Sequence, residues 1–197
     1  AVQLVWLSAN TLQISADTAA LSTILRVRTT GAYTSADGWL SLLCSFDLTD
    51  AAKRHLYIND VSDLTAVIYT DDTIDYTRGD WWVGAIDAGV TNFVVDIAEM
   101  WFAPGVYLDL SITSNRRKFI SAALGPVDLG DDGSTPTGTQ PILYLRGNWQ
   151  GFQVNSGSGG NFTVTGALTA PATVRGIKSR IDAAIEGSVA LAIAHTL

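Results

Sequence analysis

Residues 79–104 read GDWWVGAIDAGVTNFVVDIAEMWFAP, and this stretch decides the fold. Its second half, residues 93–102, carries apolar side chains at both odd and even positions, which lie on opposite faces of an extended strand. A strand that is apolar on both faces needs cover on both sides. We therefore predict that residues 93–102 form a strand in the middle of a layered β-structure, preceded by another strand at residues 81–86.

An amphipathic strand is predicted before this stretch, at residues 38–48. One face carries five apolar residues, namely Leu40, Leu42, Cys44, Phe46 and Leu48. The other face carries Ser41, Ser45 and Asp47. Cys44, the sole cysteine, is therefore predicted to be a buried small hydrophobic residue and not a reactive thiol.

A hairpin and one helix complete the local predictions. Asn59 and Asp60 are residue types that tolerate the positive φ angles of a tight hairpin turn, and residues 64–69 are predicted as the partner strand. After Pro104 the apolar spacing becomes helical at residues 113–124, with Gly125 and Pro126 beyond the end. The basic run at residues 116–118 is expected to form a solvated face.

Composition excludes several classes of protein. The 197 residues suffice for one domain, and the net charge of −7 disfavours binding to nucleic acid or to an anionic membrane. A single cysteine permits neither an intrachain disulfide nor a thiolate metal cage. Residues 1–25 lack the pattern of a signal peptide, and nowhere do about 18 apolar residues follow one another.

The C-terminal segment differs from the rest, so the chain divides into a domain at residues 1–168 and an arm at residues 169–197. The arm is predicted to be helical or extended, because a helical stripe at 171–186 precedes an apolar tail. Two fates stay open, namely packing back onto the domain or docking onto another subunit. The predicted assembly contacts are Val174, Ile177, Ile181, Ile185 and Leu191.

The order of motifs resembles the laminin G-like, concanavalin A-like domains, in which a LYVNG hairpin precedes an IG strand and a G-x-I-x-E strand. The resemblance implies an all-β jelly-roll sandwich of two antiparallel sheets, here with one short inserted helix and the C-terminal arm. The matching residues are Trp39, Leu56, Tyr57, Asn59, Val83, Gly84, Asp96, Ile97 and Glu99.

A more particular likeness covers residues 102–145, which contain FAPGVYLDLS, NRRKF and GPVDLGDDGSTPTGTQPILYL. This passage looks like one found in laminin G-like proteins of bacteriophages and prophages. The resemblance implies a virion component, such as a capsid decoration or a tail or fibre protein. The implied partners are other virion proteins and copies of the chain itself, and the implied location is the particle surface.

The sequence disfavours glycoside hydrolysis as the function. Retaining glycosidases of this fold carry an E-x-D-x-x-E strand whose carboxylates lie roughly 5 Å apart. Here residues 94–99 read VVDIAE, so Val94 stands where the nucleophile is required. No enzyme activity and no catalytic residue are predicted, and Asp96 and Glu99 are expected to pair with neighbours.

Metal and cofactor sites are likewise not predicted. Residues 128–133 read DLGDDG, a weak likeness to a calcium loop that lacks its second ligand and its closing glutamate. His55 and His195 are the only histidines, and they form no H-x-x-x-H pattern. An acidic, solvated turn is the interpretation of residues 128–133.

Sugar binding by aromatic stacking is the alternative function. Trp149 lies in the loop 147–151 and is the aromatic residue most expected to face solvent, with Asn148 and Asn155 as neighbouring contacts to a surface glycan. Trp81 and Trp82 are adjacent and face opposite sides of a strand, which leaves open that one of them is exposed. Core packing is expected for most of the tryptophans. The two functions retained are thus a non-enzymatic virion structural or attachment protein, and a lectin-like module.

Overall fold

The fold is all-β in the computed structural model, which describes residues 2–77, 81–83, 85–86, 91–92, 95–164, 166–169, 183–184 and 188–195. Within these ranges the only α-helix, α1, is a single turn at Thr113–Arg116, and Ser35–Asp37 forms a 3-10 turn. The strands are β1 (Val2–Trp6), β2 (Leu12–Asp17), β3 (Thr23–Arg28), β4 (Leu40–Phe46), β5 (Arg54–Ile58), β6 (Val61–Ser62), β7 (Thr65–Tyr69), β8 (Ala85–Ile86), β9 (Thr91–Asn92), β10 (Val95–Asp96), β11 (Met100–Ala103), β12 (Leu143–Leu145), β13 (Ala183–Ala184) and β14 (Ser188–His195).

The strands form two main sheets and one short hairpin. The first sheet has the order β1-β2-β3-β7, and all its pairs are antiparallel. The second has the order β12-β11-β14-β4-β5-β6, with β10 added beside β14 and β13 parallel to β11. Strands β8 and β9 pair only with each other among the residues described. Strand β14 therefore lies inside the second sheet, between β4 and β11.

One hydrophobic cluster receives side chains from both main sheets. Ile14 and Leu25 enter it from the first sheet, and Leu42, Phe46 and Phe102 enter it from the second. The five apolar residues predicted on one face of residues 38–48 are all at most 5% exposed. This confirms the prediction that they face the core, and we call them the core row of β4.

Strand β4 is nevertheless buried on both faces. Ser41 is 2% exposed and Ser45 is fully buried, although the alternation predicted a polar face. The reason is the loop 104–112, which lies over this face: the backbone amide of Leu108 donates a hydrogen bond to Ser45 Oγ at 3.1 Å. A serine hydroxyl can be buried when it is hydrogen-bonded in this way.

The deciding stretch is more interrupted than predicted. Residues 95–103 form two strands, β10 and β11, with residues 97–99 between them, and residues 93–94 lie outside the described ranges. Trp101 and Phe102 point to opposite faces of β11 and are 0% and 1% exposed, so both faces are covered as predicted. Of the strand predicted at residues 81–86, the described residues form a strand at Ala85–Ile86, and Trp81 and Trp82 lie outside it.

The predicted hairpin turn is confirmed, but its partner strand is not. Asn59 and Asp60 have φ angles of 49° and 69°. The strand that returns beside β5 is the two-residue β6, whereas β7 crosses to the first sheet and pairs with β3. Asp63 fixes this crossing, because its carboxylate accepts hydrogen bonds from the backbone amide of Thr30 at 2.6 Å and from Tyr33 Oη at 2.6 Å.

The inserted helix ends at Arg116, well before residue 124, and Ile120 instead forms an isolated bridge with Pro126. The expected solvated basic face is also wrong for Arg116, which is 8% exposed. Its guanidinium donates to Asp60 Oδ1 at 2.5 Å and to the carbonyl of Leu110 at 2.6 Å. The helix turn is thereby fastened to the hairpin turn. No helix in the part of the chain that is described has the length and apolar character needed to span a membrane.

Candidate functional site

The glycan contacts predicted from the sequence lie in the loop after β12. Trp149 is 41% exposed in a turn that begins at Asn148. The Oδ1 atom of Asn148 accepts hydrogen bonds from the backbone amides of Gln150 at 3.1 Å and Gly151 at 3.2 Å. Trp149 is thus presented to solvent, whereas the side chain of Asn148 maintains the turn.

Asn155 is tied to the backbone of the same region. Its Oδ1 accepts hydrogen bonds from the amides of Tyr144 at 2.7 Å and Gly157 at 2.9 Å, and its Nδ2 donates to the carbonyl of Ile142 at 2.9 Å. A ligand would have to break these bonds before it could use the Asn155 amide. Of the three predicted contacts, the structure leaves the ring of Trp149 available.

The predicted assembly contacts fall mostly outside the described ranges, where Val174, Ile177, Ile181 and Ile185 lie. Leu191 lies in β14, where its backbone pairs with Leu42 of β4 and Met100 of β11. Within the arm, Ala183–Ala184 and Ser188–His195 are therefore strands of the second sheet of the same chain.

Of the two carboxylate residues in the range 94–99, Glu99 is buried and Asp96 is half-buried. Glu99 is 1% exposed, and burial raises the pKa of Asp96. Val94 lies outside the described ranges.

The acidic loop 128–133 uses its carboxylates internally. Asp128 and Asp132 each accept a hydrogen bond, at 3.0 Å, from the backbone amide two residues further on. Asp131 pairs with Arg146 at 3.0 Å. Across the ranges described, no group of three or more His, Cys, Asp or Glu residues is placed to hold a metal ion.

A cleft of about 660 Å³ lies between the β2–β3 turn, at residues 18–22, and the segment 72–77 that follows β7. Its lining combines threonine and serine hydroxyls, the carboxylates of Asp72 and Asp75, and the ring of Tyr76. A backbone hydrogen bond from Asp75 to Asp17, 3.0 Å long, joins the two walls. Ile74, 7% exposed, anchors the second wall in the core.

Aromatic rings continue from this cleft. Tyr76 lies 6.1 Å from Phe102 between ring centroids, and Trp81 lies 5.4 Å from the same ring. We call these three residues the aromatic group. The sequence left open that one of Trp81 and Trp82 is exposed, and the structure exposes both, at 39% and 46%. The ring of Phe102 thus lies against both Tyr76 of the second wall and the indole of Trp81.

A second polar group fastens the loop 104–112 to β5. His55 Nε2 lies 2.7 Å from Tyr107 Oη and 3.4 Å from Asp109 Oδ1. Lys53, which pairs with Asp47, lies 5.5 Å from the centroid of the Tyr107 ring. Burial raises the pKa of Tyr107 to about 12, so this phenol stays protonated at neutral pH and is a poor nucleophile. The group therefore holds the loop in place and offers no activated nucleophile.

The histidine of this group makes the stability of the protein depend on pH. Burial lowers the pKa of His55, although Asp109 acts in the opposite direction. Because the pKa of His55 is lower in the folded protein than in the unfolded chain, the unfolded chain binds a proton more readily at pH values between the two. We expect the free energy of unfolding to be highest above the ordinary histidine pKa of about 6.5 and to fall as pH falls below it. Urea titrations at a series of pH values measure this.

Two variants assign this pH dependence to one histidine. His55→Gln keeps a partner for Tyr107 but does not titrate, so it should flatten the curve between about pH 5 and 7. His195→Gln removes the only other histidine of the sequence and is the comparison variant. If His195→Gln flattened the curve and His55→Gln did not, the assignment of the pH dependence to His55 would be contradicted.

Comparison of the chain with protein-family models, with curated proteins and with solved structures finds no match. Function is therefore inferred from the residues of the chain themselves. The sequence prediction missed the cleft, and its only local signal is the run TDDTIDYT at 70–77, in which hydroxyl and carboxylate residues surround one aromatic residue.

Proposed function

We propose that this chain is a non-enzymatic structural or attachment protein on the surface of a bacteriophage-like particle, built as a concanavalin A-like jelly roll. The resemblance of residues 102–145 to a passage of phage laminin G-like proteins supports the virion role. The all-β architecture, with one hydrophobic cluster fed by both main sheets, is compatible with that fold.

The burial of Glu99 carries the non-enzymatic part of the proposal. Only 1% of this residue is exposed, and the loop Asp and Asn side chains described above are engaged in hydrogen bonds and ion pairs. A protein of this kind acts by surface complementarity, in which a rigid β-structure presents loops to its partners.

Fractionation of intact particles tests the virion role. We expect the chain to co-purify with particles and to remain with one substructure, head or tail, after mild dissociation. Mass spectrometry of each fraction gives the copy number of the chain relative to the major shell protein. Recovery of the chain only as free protein, with none on washed particles, would contradict the proposal.

Glycan binding is the second candidate function, and exposed aromatic rings favour it. Trp149 is exposed on one loop, and Trp81 and Trp82 are exposed in the segment before β8. Aromatic faces stack against the apolar C–H face of a sugar ring, and such residues are rarely left exposed in groups without use. An attachment protein and a glycan-binding protein can be the same molecule.

A further inference from the structure

We propose that the outer face of the first sheet is a contact surface for a second copy of this chain, in which Arg26 and Arg28 of each copy bind Asp71 and Asp72 of the other. We call the two arginines the basic pair and the two aspartates the acidic pair. This inference rests on the structural role proposed above, in which copies of the chain are partners, and it names the surface through which they meet.

The basic pair lies on the face of the first sheet that is turned away from the core. Leu25 and Val27 of β3 are fully buried in the shared hydrophobic cluster. Residues at alternate positions of a strand face the same side, so Arg26 and Arg28 both point to the opposite face, with Cα atoms about 7 Å apart. Both arginines are half-buried. Their neighbours in the register of the sheet are uncharged, namely Ser15 and Ile68 beside Arg26, and Gln13 and Thr65 beside Arg28.

No carboxylate of the described residues neutralises the basic pair. The ion pairs in those ranges involve other cations, namely Lys53, His55, Arg116, Arg117 and Arg146. Arg28 Nε donates a hydrogen bond to the neutral Gln13 Oε1 at 2.7 Å, and the buried Arg26 Nε has no acceptor within hydrogen-bond distance among the same residues. Charged groups that leave water are normally paired, so two uncompensated arginines in a chain of net charge −7 indicate an acidic partner.

The acidic pair lies next to the basic pair in the same sheet. Asp71 and Asp72 follow β7, the strand that pairs with β3, and both are exposed. The chain is anchored on both sides of them, because the amide of Thr70 donates to the carbonyl of Ile24 at 2.9 Å and Ile74 is only 7% exposed. The acidic pair is therefore held in place before a partner arrives, which lowers the entropy that binding costs.

Two neighbouring patches of opposite charge favour a second copy over an unrelated partner. Asp71 comes three positions after Ile68, the residue that pairs with Arg26. A two-fold axis between the patches places the basic pair of each copy on the acidic pair of the other, and such self-complementary contacts are the usual form of a symmetric dimer. Guanidinium and carboxylate groups match in geometry, so these ion pairs would also fix the orientation of the two copies.

The contact is expected to be weak and dependent on salt. An exposed ion pair strengthens association by no more than about fivefold, and the net charge of −7 on both copies opposes their approach. We therefore expect a dissociation constant of about 0.1–1 mM at low salt. A contact of this strength is sufficient where many copies are held close together on one particle.

Sedimentation equilibrium of the full chain measures the contact at protein concentrations up to about 1 mM. We expect a monomer–dimer equilibrium at low salt that shifts to monomer at about 0.5 M NaCl, because salt screens exposed charges. A chain that stays monomeric over the whole range at low salt would overturn the proposal.

Two double variants test which residues meet. Arg26→Glu with Arg28→Glu makes both patches acidic, and Asp71→Arg with Asp72→Arg makes both patches basic. We expect each variant to be monomeric by itself, because like charges then face each other. An equimolar mixture should associate as a heterodimer, since each patch again meets one of opposite charge. Two folded variants that do not associate when mixed would show that these patches are not partners.

Arg54→Glu with Lys118→Glu is the matched control. It changes the net charge as much as the variant of the basic pair does, but Arg54 lies on β5 of the second sheet and Lys118 follows α1. The control should still form the dimer. If it lost association to the same extent as the variant of the basic pair, association would depend on net charge alone and the proposed contact would be wrong.

Circular dichroism and thermal melting first establish that each variant is folded. Arg26 is half-buried, so its replacement can lower stability. Asp71 and Asp72 are exposed, so the variant of the acidic pair tests the contact even where the variant of the basic pair unfolds. Dimerisation of that folded variant as strong as in the parent would overturn the proposal. All these measurements use free protein, so their failure would leave particle fractionation to decide the virion role.

Discussion

A chain that ends at residue 168 is expected to lose its folded structure. Such a truncation removes β13 and β14, and β14 is the strand that joins β4 to β11. The backbone N–H and C=O groups of both neighbours would lose their partners inside the second sheet, and unpaired buried groups of this kind cost about 1–3 kcal/mol each. Several such losses together exceed the stability of an ordinary domain.

Circular dichroism, thermal melting and the chemical-shift dispersion of amide protons in NMR spectra measure this effect. We expect the truncated protein to lack a cooperative melting transition and to expose hydrophobic surface to a dye such as ANS. A truncated protein that kept its β-spectrum and melting behaviour but failed to join particles would contradict this expectation. It would instead support docking of residues 169–197 onto another subunit.

A pair of proline variants separates loss of the strand from loss of chain length. Leu191→Pro introduces a residue that cannot donate to the ladder at the position paired with Leu42 and Met100, so it should reproduce the loss of folding. Ala167→Pro places the same residue in an exposed, non-strand position and should leave melting unchanged. Equal effects of the two prolines would show that β14 has no special role.

The second large effect is expected at Phe46. This residue is fully buried in β4, within the cluster that both main sheets share. Phe46→Ala removes most of a large aromatic side chain from a packed site, so we expect the free energy of unfolding to fall by roughly 3–5 kcal/mol. Urea denaturation measures it as a lower midpoint with an unchanged slope.

Val67→Ala is the control for this substitution. Val67 is 48% exposed on β7, and its truncation should change stability by less than about 0.5 kcal/mol. A loss at Phe46 as small as that at Val67 would show that the core row of β4 is misplaced. A loss well above 5 kcal/mol would indicate that the cluster cannot relax around the cavity at all.

The sequence predicts those parts of the fold that depend on local chemistry. The alternation in residues 38–48 identifies the core row of β4, because a period of two is a property of any half-buried strand. The positive φ angles of Asn59 and Asp60 follow from residue type in the same way. Neither prediction needs knowledge of what packs against the strand.

Other features depend on distant residues and are not visible in a local pattern. Strand β7 leaves the hairpin for the first sheet because Asp63 binds residues 30–33, more than thirty positions earlier. The predicted helix shortens to Thr113–Arg116, and the side chain of Arg116 is engaged by Asp60. Ser45 is buried because the loop 104–112 covers it.

The same distinction explains the candidate sites. Exposure of Trp149 is predictable, since glycine and asparagine on either side mark a turn. The cleft is not predictable, since its walls at residues 18–22 and 72–77 are about fifty positions apart and meet through the β2–β3–β7 arrangement. Asp72 and Asp75 look like any solvated acidic run until the other wall is in place.

The position of β14 also sets the time at which the protein can fold during synthesis. Strands β4 and β11 leave the ribosome long before residues 188–195, yet neither can pair with β14 until those residues have emerged. In that interval the nascent chain carries two unsatisfied strand edges, and these can pair with other nascent chains. Pairing of β14 with β4 and β11 is a non-local step. Chaperones near the ribosome therefore encounter this protein while β4 and β11 are not yet joined by β14.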